Sequence, residues 1–153
     1  MWSIRFLPIV MLLLIVPASE MGGQDRTLDI PRVGLSAVIA EGDGEATLRV
    51  AVGHLPDTAL PWHDGNTALA DTFFRPLQHI LVGDEVRVST RYGDFRYQVR
   101  ETRVVSPDEL WVLGPTDRPT LTLITCFPFT SIGKAPRRFI VKAERTGAAR
   151  PTR

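Results

Sequence analysis

The strongest constraint on the fold is a pair of β-branched, apolar runs set around a single cysteine. Thr120 to Ala143 reads TLTLITCFPFTSIGKAPRRFIVKA. The first run, Leu121 to Thr125, leads into Cys126, the only cysteine of the chain, and has the content of a buried strand. The second, Phe139 to Val141, follows a loop carrying Pro128, Gly133 and Pro136. Two such runs joined by a medium loop are most simply antiparallel neighbours. Side chains alternate across a strand. The expected register therefore puts Leu121, Leu123 and Thr125 on one face with Phe139, Val141 and Ala143. Thr122, Ile124 and Cys126 then share the other face with Arg138, Ile140 and Lys142. Cross-strand neighbours lie roughly 5 Å apart at Cβ, so the Arg138 guanidinium would reach whatever reacts at the sulfur. A thiol at a strand end beside a fixed cation suits nucleophilic chemistry, because the thiolate is the reactive form. The competing reading of Cys126 is a small buried hydrophobe.

The rest of the chain breaks into short segments. Leu28 to Ile39 is extended and interrupted by Pro31 and Gly34. Ala46 to Val52 is expected as one or two helical turns, with Leu48 and Val52 at i, i+4. A strand from Val86 to Thr90 meets a hairpin turn at Tyr92-Gly93-Asp94. After it, Phe95, Tyr97 and Val99 alternate with Arg96, Gln98 and Arg100, the pattern of a half-buried strand with one wet face. Ser106 is a candidate cap for a short turn before Leu110 to Leu113. Many short strands with Gly/Pro turns predict an all-β barrel or sandwich.

With 153 residues, 44% of them apolar, the chain is expected to form one domain with a real core. A net charge of +1 argues against a nucleic-acid surface. Residues 1–18 are a separate object: Arg5 precedes an apolar run from Phe6 to Val16, and Val16-Pro17-Ala18 offers a small-residue cleavage pattern. That run falls short of the roughly 20 apolar residues a membrane helix needs. A cleaved signal peptide is expected, with an uncleaved N-terminal anchor as the alternative, and either places the domain outside the cytoplasm, at the cell envelope. Residues 19–27 read as a linker, 28–145 as the domain and 146–153 as a solvated tail. A lone thiol in an exported domain has no intramolecular disulfide partner. The three histidines and Cys126 lack the spacing of a zinc site, and no glycine-rich phosphate loop is present, so neither metal nor cofactor is expected.

The string Leu123-Ile124-Thr125-Cys126-Phe127-Pro128-Phe129, then Gly133, then Ala135-Pro136-Arg137-Arg138-Phe139-Ile140-Val141, resembles the active-site strands of sortases. These are the cysteine transpeptidases that attach secreted proteins to cell surfaces, and the Phe-Pro-Phe continuation looks most like class D. Ile30-Pro31-Arg32-Val33-Gly34-Leu35-Ser36-Ala37 and Gly53-His54-Leu55-Pro56-Asp57-Thr58-Ala59 are similar to stretches of the same family. The resemblance implies a closed β-barrel of about eight strands with one or two short helices. It also implies that Cys126 forms a thioester with a Leu-Pro-x-Thr-Gly/Ala sorting signal and passes it to an amine acceptor on the cell surface. Arg138 would steady substrate and oxyanion, and Thr125 would line the groove through its backbone.

One segment departs from the family. Sortases similar to this chain carry Ala-Gly-His-Arg-Asp-Thr-Phe-Phe-Arg, whose His is catalytic. Here Ala70 runs directly into Asp71-Thr72-Phe73-Phe74-Arg75. Both flanks match, so the Gly-His-Arg triplet reads as deleted, and an odd deletion inside a strand would reverse every later side chain unless a loop absorbs it. Of the remaining histidines, His54 is the candidate substitute base, against a structural place in its Gly-His-x-Pro turn. His63 is expected in an exposed turn and His79 on a short helix. Three readings stay open: an active transpeptidase, a sortase-like domain that binds sorting signals without turnover, and a triplet lost from the sequence in error.

Overall fold

The computed structural model describes residues 25–72, 74–131 and 134–147. The expected signal peptide or anchor, the linker before Asp25, Gly133 and the tail beyond Gly147 lie outside the described residues. Among the described residues no helix is long and apolar enough to cross a membrane.

The described strands are β1 (Thr27–Ile30), β2 (Leu35–Glu41), β3 (Val52–His54), β4 (Asn66–Ala70), β5 (Glu85–Thr90), β6 (Gly93–Val105), β7 (Thr120–Phe127) and β8 (Arg137–Arg145). They close into a barrel in the order β1-β2-β3-β4-β7-β8-β6-β5. Helix is confined to α1 (Glu45–Leu48) and to 3-10 turns at Pro31–Val33, Arg75–His79 and Leu110–Leu113. The all-β expectation holds, and closure decides between barrel and sandwich. Closing the sheet also leaves no free edge along which strands of other chains could add.

Alternation fills the barrel. Leu28 and Ile30 of β1, Val86 and Val88 of β5, and Leu121 and Leu123 of β7 are buried in one core. In β6, Phe95, Tyr97 and Val99 join that core while Arg96 and Arg100 are exposed, as the period-2 pattern requires. β7 and β8 pair antiparallel with Leu121 opposite Ala143, Leu123 opposite Val141 and Cys126 opposite Arg138, the register expected from parity.

Three local expectations change. Val52 begins β3, and α1 stops at Leu48, because β3 is drawn in to pair in parallel with β2. That approach is close: a Cβ on Gly53 would lie 2.2 Å from the Gly42 carbonyl oxygen, so only glycine fits there. The hairpin turn is Arg91-Tyr92, since Gly93 and Asp94 already pair with Thr90 and Ser89. Ser106 does not cap the turn by its side chain; the Glu109 carboxylate instead accepts the Ser106 N–H at 2.6 Å.

Outside the barrel a polar network hangs one further element. Asn66 Nδ2 donates to the carbonyls of Val112 (3.0 Å) and Gly114 (3.1 Å), and its Oδ1 accepts the Thr122 hydroxyl at 2.6 Å. Lys142 Nζ donates to the same Val112 carbonyl at 2.6 Å. Burial pushes the Lys142 pKa below its ordinary value, partly opposed by Glu101. These bonds dock the Leu110–Leu113 turn on the outer face of β4, β7 and β8, where Val112 packs with Val105 and Ile140.

β4 ends at Ala70, paired with Ile124, and the Asp71 amide makes one last bond to the Ile124 carbonyl at 3.1 Å. Thr125 to Phe127 thus run on past the end of β4. The Ala70-Asp71 junction falls at this strand end and is followed by a bend at Thr72, so a change of length at this point would leave the β4 faces undisturbed.

Asn66→Ala is expected to leave the Gly114 carbonyl and the Thr122 hydroxyl without their partner, at about 1–3 kcal/mol of stability. Urea unfolding followed by tryptophan fluorescence checks this; a loss below the experimental error would mean the network does not hold the turn.

Candidate active site

Cys126 lies near the C-terminal end of β7, half-buried, directly opposite Arg138 of β8. Parity sends both side chains to the outer face, the side on which the Leu110–Leu113 turn is docked. Between them lies a groove of about 360 Å³, lined by Cys126, Thr125 and Arg138 at one end and by Leu110, Val112 and Leu113 along one wall. Ile124 and Ile140, the outward neighbours of Cys126 and Arg138 on their strands, line it too. The lining is mainly apolar, with Asp43, Asp71 and Glu109 among its residues and with Cys126 and Arg138 both contributing to it.

Arg138 is held by its own loop. Its Nη1 donates to the carbonyls of Ala135 (3.1 Å) and Arg137 (3.0 Å). Its Nε and Nη2 donate to none of the described residues, so the other edge of the planar fork is available to an oxygen in the groove. Arg137 pairs with Phe127 in the register and lines no cavity at Cys126, as parity requires. Thr125 is buried and is among the residues lining the groove. Behind it, Phe129 packs edge-on against Phe139 at 5.0 Å between ring centres and against Phe127 at 5.6 Å, which fixes the start of the loop after β7.

His54 is not brought to Cys126. Its ring is buried, with Nδ1 2.7 Å from Glu41 Oε1 and Nε2 3.0 Å from the Ala59 carbonyl and 3.1 Å from Thr58 Oγ1. Both nitrogens are occupied in tying β3 to β2 and to the turn after it, which is the structural place its Gly-His-x-Pro setting offered. His63 and His79 are exposed. Among the described residues, no histidine lines either cavity that reaches Cys126.

Three carboxylates, Asp43, Asp71 and Glu109, border the groove. Glu109 is held below the usual carboxylate range, first by the Ser106 backbone N–H and then by the Trp111 indole N–H, so it is ionised at neutral pH and offers no proton there. Among the described residues no cluster of three or more His, Cys, Asp or Glu is arranged to hold a metal ion.

Two features of this region were not singled out from the sequence. One is the polar docking of the Leu110–Leu113 wall, whose partners lie on three strands far apart in the chain. The other is a second cavity at Cys126, with Arg75 in its lining; its only sequence signal is that Arg75 follows the matched Asp71-Thr72-Phe73-Phe74 segment.

Comparison with known proteins agrees with this geometry. The family described as Sortase domain matches residues 28–146. Sortase D of Bacillus subtilis is 32% identical over 130 residues, covering 82% of this chain and 66% of that protein. Sortase A of Streptococcus agalactiae is 28% identical over 127 residues, covering 75% of this chain and 50% of its own length. The chain thus spans from half to just under two thirds of these relatives. Among solved structures, a Clostridium perfringens Sortase D5 transpeptidase superposes with a TM-score of 0.73 at 32% identity, over 81% of this chain and 79% of its own. Sortase C1 from Streptococcus agalactiae gives 0.75 at 28%, over 82% and 69%. Listeria monocytogenes sortase A gives 0.76 at 22%, over 85% and 92%, a likeness of fold. A match that spans the barrel, with class D sortases among both the sequence relatives and the structural neighbours, makes this chain a member of the sortase family.

Proposed function

We propose that the protein is a cysteine transpeptidase of the cell envelope that acts on sorting-signal peptides of the Leu-Pro-x-Thr-Gly/Ala kind. The observation that carries this reading is Cys126 directly opposite Arg138 at the mouth of an apolar groove. The leucine and proline of a signal would lie along Leu110–Leu113, and the Thr carbonyl would reach Cys126. Sγ attacks that carbonyl carbon, the oxygen charge that develops faces Nε and Nη2 of Arg138, and the C–N bond breaks as the amine leaves with a proton. The thioester on Cys126 then passes its acyl group to an amine acceptor. A preorganised donor aimed at such an oxygen is worth roughly 10²–10³ in rate.

The leaving amine needs a proton, and no histidine among the described residues is placed to give it. Solvent entering the groove supplies it instead, which sacrifices the roughly 10²–10⁴ that a positioned acid contributes. The proposed enzyme is therefore a slow one. The alternative, a domain that holds sorting signals without turnover, is the reading that remains if attack itself fails.

Intact-mass analysis after incubation with a sorting-signal peptide is expected to show an acyl adduct on the wild type and none on Cys126→Ala. Arg138→Ala should slow its formation by roughly 10²-fold. A folded wild type that leaves the peptide intact and carries no adduct would contradict the proposal. Inserting Gly-His-Arg between Ala70 and Asp71 is expected to raise steady-state turnover by about 10²–10⁴-fold, measured by peptide cleavage. An unchanged rate would show that proton donation is not what limits this enzyme.

A further inference from the structure

Among the described residues, two cavities of different chemistry reach Cys126. Beside the apolar groove, a second cavity of about 460 Å³ opens toward the loop after β7, lined by Thr72, Arg75, Thr125, Phe129, Thr130 and Ser131 along with Cys126. The two share Thr72, Thr125 and Cys126, so they meet at Cys126. The groove is bordered by three carboxylates; among the described residues the second cavity is bordered by none, and carries hydroxyls and one guanidinium instead. Arg75 is exposed at the start of its 3-10 turn and takes part in none of the ion pairs among the described residues.

A transpeptidase needs room at its sulfur for two molecules, an acyl donor and an amine. The apolar groove suits the donor. The second cavity holds an arginine with no ion-pair partner among the described residues, which repels a bare ammonium group and attracts a carboxylate. We propose that this cavity is the acceptor site and that it selects amines whose skeleton carries a carboxylate, with Arg75 pairing with that carboxylate and the amine nitrogen directed at the thioester. The inference rests on the transpeptidase reading above. In the transfer step the amine nitrogen bonds to the thioester carbonyl carbon and the C–S bond breaks. Cys126 leaves as thiolate and takes up the proton the nitrogen loses, so that thioester plus amine gives amide plus thiol. Arg75 touches the acceptor and no reacting atom.

The test compares glycine with glycinamide as acceptors in the full chain, reading transfer against hydrolysis of the same acyl-enzyme so that the rate of acylation cancels. Intrinsic amine reactivity cancels when the glycine-to-glycinamide ratio of the wild type is divided by that of Arg75→Gln. That quotient is expected to be about tenfold, the strength of one charge-assisted pair at an exposed site. Arg75→Lys should retain part of the preference. A quotient of one overturns the proposal. If no acyl-enzyme forms at all, the transpeptidase reading has failed and the acceptor site is decided separately by titrating the wild type and following backbone amide NMR signals. Saturable shifts at Thr72, Arg75 and Ser131 with glycine and not with glycinamide support a carboxylate site; their absence overturns it.

Discussion

The antiparallel pairing of β7 with β8 is the constraint on which this site depends. Because side chains alternate strictly along a strand, the register that buries Leu121, Leu123, Val141 and Ala143 in the barrel obliges Cys126 and Arg138 to stand together on its outer face. A slip of one residue would bury the thiol or the guanidinium and expose the core. The Cys126–Arg138 pair is thus placed by the hydrophobic effect acting several residues away. Arg138 Nη1 is then held by the carbonyls of Ala135 and Arg137, which leaves the other edge of its fork to face the groove.

Placement alone does not make a cleft. The groove exists because the Leu110–Leu113 turn is hung over the outer face by Asn66, Thr122 and Lys142, polar side chains that in a smaller sheet would face water. The opening of the cleft is set by the length of β4. Since β4 stops at Ala70, the last residues of β7 have no strand partner on that side among the described residues, and Cys126 lines both the groove and the cavity beside Arg75. The expected departure from the sortase pattern falls at the same strand end.

What the sequence disclosed follows from range. Period-2 alternation is local, so the faces of β6, β7 and β8, and the pairing of Cys126 with Arg138, were legible from residue types alone. Barrel against sandwich was not, because closure depends on which distant strands meet; the family resemblance supplied it. Val52 misled, since Leu48 and Val52 at i, i+4 look helical, but pairing with β2 outweighs four residues of helix propensity. His54 shows the other limit. Its place in the chain, close to the departure, made it a candidate base, yet its ring is fixed by Glu41, Thr58 and Ala59, contacts set by tertiary packing. The Arg75 cavity was illegible for the same reason: its lining comes from the turn after β4 and the loop after β7, brought together only when the barrel closes.

Under the proposed function, a sorting signal reacts where Cys126 and Arg138 stand opposite each other in the groove. The most direct test is a crystal structure of the protein trapped on Cys126 by a peptide aldehyde of Leu-Pro-x-Thr sequence. The expected structure has the hemithioacetal oxygen within hydrogen-bond distance of Nε or Nη2 of Arg138, roughly 3 Å, and the leucine and proline against Leu110–Leu113. A trapped peptide lying outside that groove, with its oxygen turned away from Arg138, would contradict it.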